Sequence, residues 1–200
     1  MSQPSNRGAK VPLPGSLDST LKEFWVENPW RIASEGHNLS CYERNRVFLN
    51  SKGKDFLEIS HLTGADSDGD GRSIIAADFR NSGMMDLVVR QCGGGALLYF
   101  ENKMEPKGWL RVSLKGKKSN KQGIGAKVIA KVNGLTLVRE LYPANTYCSQ
   151  SPCEAHFGLG DAQKVDSLEV RWPSGIVQTM GPLTPNQRLE ITEPAGDETK

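Results

Sequence analysis

No stretch of this chain approaches the roughly 18 consecutive apolar residues of a membrane-spanning helix. Hydrophobic residues make up only 37% of it. Net charge is nearly absent as well, with 25 Lys and Arg against 23 Asp and Glu, a sum of +2. That balance excludes a uniformly basic nucleic-acid glove and a highly charged disordered chain. Histidine is scarce: His37, His61 and His156 stand in no H-x3-H or H-E-x-x-H spacing, so zinc catalysis has little support. Four cysteines do not force a disulfide scaffold at this length. The opening residues MSQPSNRGAK lack the apolar core of a signal peptide. Either the chain stays inside the cell or its export signal lies outside this sequence. What is plentiful is turn chemistry, 21 glycines and 11 prolines, which points to a β-rich protein.

Along the chain, residues 1–29 read as a polar arm. Within it Leu17, Leu21, Phe24 and Trp25 recur at helical spacing, so a short helix is expected near 17–27, stopped by Pro29. From Arg44 the pattern changes to short strands. RVFLN and DFLEIS flank a glycine-containing turn and predict a hairpin. SIIAADF, MDLVVRQ and ALLYFEN follow as three strands separated by turn residues, and CGGG reads as a turn rather than a phosphate loop. The span 30–105 is therefore expected to be a partial, propeller-like blade. A second block, 106–193, is predicted to be a small β-sandwich-like domain. WLRVSLKG alternates, and Asn133-Gly134 joins two alternating runs as a hairpin. AHFGLG, SLEVRW, IVQTM and RLEITE complete the block, and 194–200 is expected to fray. The fold class is all-β with a short N-terminal helical arm.

The near-zero total hides a split. Residues 55–86 carry seven acids and two arginines, whereas 103–131 carry nine Lys or Arg and one Glu. The acidic half invites a cation. Asp66, Asp68 and Asp70 alternate ahead of Gly71, as in loops that gather oxygens around Ca2+. The twelfth position of an EF-hand would be Ala77 and the ninth of a shorter loop Ile74, so neither supplies the closing acid. Asp78 and Asp86 could be the first and last ligands of a second loop. Its third position is Arg80 and its fifth Ser82, so it should bind calcium poorly, with Arg80 forming an internal salt bridge to Asp78 or Asp86 instead. In the basic half, Lys115, Lys117, Lys118 and Lys121 form a loop without interleaved aromatics. It suits a solvated hairpin tip or a partner-facing surface better than a nucleic-acid platform. Cys148 and Cys153 enclose a tight loop that a local disulfide would stabilise by about 2 kcal/mol. His156 sits in the strand-like AHFGLG as a structural histidine. Asn38-Leu39-Ser40 is a glycosylation sequon, meaningful only in a secretory host.

SIIAADFRNSGMMDLVVRQ resembles an FG-GAP or VCBS-type repeat. WLRVSLKGKKSNKQGIGAKV, SQSPCEAHFGLGDAQKVDSLEVRWPSG and the upstream ERNRVFLN resemble the ASPIC/UnbV domain, in the class of the cartilage acidic proteins. The resemblance implies an exported protein with propeller blades ahead of the ASPIC/UnbV domain, and binding rather than turnover. Two departures stand out: the chain has room for about one blade, and it lacks the usual acids at Arg80 and Ser82. A lone blade cannot close a propeller. It must therefore pack on the second block, with Phe24, Trp25 and Trp30 helping to cover it, or complete a propeller supplied by another chain. The function expected is a non-catalytic binding or assembly module outside the cytoplasm. It would recognise a protein or glycan, with weak calcium binding at Asp66, Asp68, Asp70, Asp78 and Asp86. An accessory subunit of an exported enzyme or redox complex is the alternative.

Overall fold

The computed structural model describes residues 44–51, 53–67, 69–92, 96–144 and 147–195. The helical arm expected near 17–27, with Phe24, Trp25 and Trp30, lies outside these. Twelve strands and one four-residue helix make the described part all-β, in several sheets of which none closes. The chain divides into two units. One runs to Ile74 and includes Val88–Phe100; the other includes Ile75–Leu87 and everything from Glu101.

The first described element of the first unit is a hairpin. β1 (Phe48–Asn50) pairs antiparallel with β2 (Phe56–Glu58), with Phe48 opposite Glu58 and Asn50 opposite Phe56. Gly53 turns the corner at φ 75, where a side chain would be strained. The hairpin is anchored at its base, where Ile59 donates to the Val47 carbonyl at 2.9 Å and Val47 to Ser60 Oγ at 2.8 Å. A short helix, α1 (Ser60–Thr63), follows and ends on Gly64 in the left-handed region. Phe48, Phe56, Leu57 and Leu62 are all exposed. β3 (Asp70–Ala77), β4 (Asp86–Cys92) and β5 (Leu98–Phe100) then form a three-stranded sheet in that order.

The second unit holds two sheets around one core. β7 (Lys127–Val132), β8 (Leu135–Glu140), β10 (Ser167–Arg171) and β11 (Val177–Met180) lie in the order β11-β10-β7-β8. Asn133 and Gly134 both take positive φ, 49 and 77, between β7 and β8, as a twist-matched two-residue turn requires. The second sheet is β12-β6-β9, built from β6 (Gly108–Lys115), β9 (Glu154–Gly160) and β12 (Gln187–Thr192). β12 runs parallel to β6, Gln187 beside Leu110 through Thr192 beside Lys115.

Alternation along each strand sends one set of side chains inward. Leu110, Val112 and Leu114 of β6 meet Val128, Ala130 and Val132 of β7, Phe157 of β9, and Leu168 and Val170 of β10. This core is the main apolar burial in the described structure. It leaves the other face of β6 and β9 to polar residues, and the candidate site is built on that face.

Candidate functional site

Arg111 opposes His156 across the β6–β9 ladder, Ser113 opposes Glu154, and Trp109 opposes Gly158. All point away from the core, since their neighbours Leu110, Val112 and Phe157 point into it. Yet Arg111 is only 7% exposed. The loop between β3 and β4 covers this face, and close approach requires glycine: a Cβ on Gly83, at φ 82, would lie 2.0 Å from Trp109 Cδ1.

The loop brings Asp78 and Asp86 together with arginines. Asp78 accepts hydrogen bonds from the amides of Ser82 (2.9 Å) and Gly83 (2.7 Å) and from Arg111 Nη1 (3.0 Å). Burial opposes its charge, but those two amides and the guanidinium outweigh it and hold the carboxyl below the usual carboxylate range. Arg111 also grips Glu154 in a fork, Nε to Oε2 at 3.0 Å and Nη2 to Oε1 at 2.9 Å, and donates to Asn81 Oδ1 at 3.1 Å. Asp86, 0% exposed, receives Arg80 through Nε at 3.2 Å and Nη2 at 2.9 Å, and the Asn102 amide at 2.8 Å. Arg80 also reaches Glu101 at 2.5 Å. The salt bridge expected for Arg80 thus falls on Asp86. Asp78 takes a second arginine, from β6, that the sequence reading did not single out.

The other acidic loop belongs to the first unit. Asp66, in the first unit, is paired with Arg44 at 3.1 Å. Asp70 begins β3, and Asp68 lies outside the described residues. Among the described residues no three His, Cys, Asp or Glu are grouped so as to hold a metal ion.

The basic loop after β6 has an unexpected role. The side chains of Lys115, Lys117, Lys118 and Lys121 are exposed. The backbone, however, is folded around a carboxylate. Glu193 Oε2 accepts from the amides of Lys117 (2.7 Å), Lys118 (2.8 Å) and Ser119 (2.8 Å), and Oε1 accepts from Ser119 Oγ (2.8 Å) and Ser174 Oγ (2.5 Å). Successive amides turned to one point make an anion nest. Burial opposes the charge on Glu193, but five donors overcome it and lower its pKa to about 2. Sequence reasoning missed Glu193 because nothing marks a lone acid at a strand end as the occupant of a loop 76 residues away.

Between the loop, β8 and β9 lies a cavity of about 340 Å³. Arg111, Arg139, Tyr142, Cys153, Glu154 and His156 contribute to its wall. His156 Nε2 lies 2.9 Å from the Gly83 carbonyl. A carbonyl only accepts, so Nε2 carries the proton. Burial pushes the His156 pKa below the ordinary value, opposed by that hydrogen bond. Cys153, half-buried, has its thiol pushed up by burial. Cys148 and Cys153 both stand as free thiols, Cys148 exposed and at φ 53.

Residues 116–198 match the family described as ASPIC and UnbV. Over 149 residues the chain is 33% identical to cartilage acidic protein 1 of Xenopus tropicalis, a similarity that takes in 71% of this chain and 23% of that protein. The chain therefore spans less than a quarter of the length of the curated relative it matches.

Proposed function

We propose that this chain is a non-catalytic binding and assembly module that works outside the cytoplasm and meets a protein or glycan partner. The observation that carries this reading is the commitment of its buried acids and of His156 Nε2 to internal partners. Asp78 and Glu154 are held by Arg111, Asp86 by Arg80, and Glu193 by its nest of amides. His156 gives its proton to a main-chain carbonyl, and the Cys153 thiol is made less acidic by burial. A catalytic site keeps such groups poised toward a substrate. Here they fix the loop to the sheet, and what remains at the cavity is a shaped wall suited to recognition. The similarity to the cartilage acidic protein, and the ASPIC and UnbV match, support a place outside the cytoplasm.

In this reading 30–105 is an FG-GAP-like partial blade and 106–193 the partner-meeting domain. The three-stranded sheet β3-β4-β5 is one strand short of a four-stranded propeller blade. The exposed apolar hairpin side chains are consistent with a partner. Arg80 and Arg111 stand in for a cation at Asp78 and Asp86, so weak calcium binding belongs to the loop from Asp66 to Asp70. The exposed lysines 115, 117, 118 and 121 would steer an acidic partner.

Native mass, measured by light scattering on material isolated gently from its source, tests the assembly claim. A defined mass well above 21.9 kDa is expected. A homogeneous species at 21.9 kDa would overturn it.

A further inference from the structure

We propose that the cavity of the second unit binds a hydroxylated carboxylate, the chemistry of a uronic-acid sugar. Arg139 takes the carboxylate, His156 Nδ1 accepts from a hydroxyl, and the Tyr142 ring meets the sugar face. The proposal rests on the binding reading above and names the ligand class for it.

The charges around the cavity select an anion. Glu140 is paired with Lys127 at 2.9 Å, Glu154 with Arg111 at 2.9 Å and Arg188 at 3.7 Å, and Asp78 with Arg111 at 3.0 Å. Arg139 has no carboxylate partner among the described residues. Its guanidinium is nonetheless fixed: Nε donates to the His156 carbonyl at 2.9 Å, Nη1 to the Val138 carbonyl at 2.8 Å, and the group lies over the Phe157 ring at 5.4 Å. An arginine fork held in place by main-chain bonds is preorganised for a carboxylate.

His156 adds the second requirement. Its Nε2 proton points to Gly83, and the ring is neutral near pH 7 because burial disfavours the cation. Nδ1 is then an acceptor with no partner among the described residues. A ligand that satisfies it must bring a donor, which a hydroxyl beside the carboxylate supplies and a simple fatty acid does not. Tyr142 is exposed on the rim, next to Pro143, and offers a flat face with a polar tip. The apolar part of the wall, Met85, Leu141, two prolines and two alanines, is interleaved with Arg111, Arg139, Glu154 and His156, a mixed lining that favours a hydroxylated ligand over a purely apolar one. The volume of about 340 Å³ is at the lower end for small-ligand pockets, roughly 300–1,000 Å³.

Calorimetric titration of the full chain with glucuronate, with glucose, and with an N-acetylated dipeptide bearing a free C-terminus tests this. Glucuronate is expected to bind, with glucose at least about tenfold weaker, the lower range for losing one hydrogen bond to a charged group. Arg139→Gln should weaken glucuronate about tenfold at an unchanged melting temperature. Should Arg139→Gln lower the melting temperature, Tyr142→Ala decides, since the side chain is exposed; a loss of severalfold is expected and unchanged affinity overturns the proposal. Equal binding of glucose, wild-type affinity in Arg139→Gln, binding of the peptide without glucuronate, or no binding at all would each overturn it. None of these outcomes depends on the native mass, so the ligand and the assembly claim fail separately.

Discussion

Glu193→Ala is expected to destabilise the chain by about 3 kcal/mol at pH 7, the equivalent of holding a carboxyl near 2 rather than 4.5. The side chain is 0% exposed and ties β12 to two loops, so its loss leaves three amides and two hydroxyls without their acceptor. Because the folded pKa is depressed, this stability is fully present above pH 4.5 and is lost as pH falls from there through about 2. Urea unfolding at pH 7 and pH 3 checks both statements. Wild type should lose part of the Glu193 contribution at pH 3, while Glu193→Gln, which cannot ionise, should lack that component of the pH dependence. Acetate should partly restore Glu193→Ala, since it can occupy the same nest. A loss below about 1 kcal/mol would mean that the nest is satisfied by water.

Arg111→Met should be at least as damaging, about 3–5 kcal/mol, because it strips the cation from a buried Asp78 and from Glu154 together. The size of the effect reflects what is left behind rather than what the ion pair contributes by itself. A double-mutant cycle separates the two. Arg111→Met combined with Asp78→Asn should be less destabilised than the sum of the single changes, since the second removes the stranded charge. Additive losses, or a single-variant loss under about 1 kcal/mol, would show that Arg111 and Asp78 are not coupled through a buried contact. The pH dependence follows the same logic. The Asp78 carboxyl is held below its ordinary value by the amides of Ser82 and Gly83 and by Arg111, so its contribution is present above pH 3.8 and fades as pH falls further.

Local pattern was legible wherever short-range chemistry decides the structure. Asn133-Gly134 specified the β7–β8 turn, and the alternation in WLRVSLKG and AHFGLG specified which residues enter the core. The hairpin of Phe48–Asn50 with Phe56–Glu58 followed from its glycine turn. Long-range placement was not legible. Nothing local sets β12 parallel to β6, because that pairing closes after more than 70 residues of intervening chain. The same limit hid the site. Arg111 alternates with Leu110 and Val112 as any outward residue would, and only the arrival of the Asp78–Asp86 loop buries it. The lysines after β6 drew the eye as charge, whereas the groups that organise the loop are backbone amides, which every residue but proline carries. Arg80 was the exception: its bond to Asp86 was readable because both lie within one short loop whose spacing imitates a metal site.

We propose that Arg80 and Arg111, rather than a cation, complete the Asp78–Asp86 loop, and that Arg111 holds it to the sheet. The amides of Ser82, Gly83 and Asn102, which donate to those two carboxylates, report on it directly. Nitrogen–proton correlation spectra recorded while calcium is raised into the millimolar range should leave these three resonances in place, whatever happens near Asp66. Saturable shifts of all three, reversed by EDTA, would show that calcium displaces the guanidinium groups and would contradict the account.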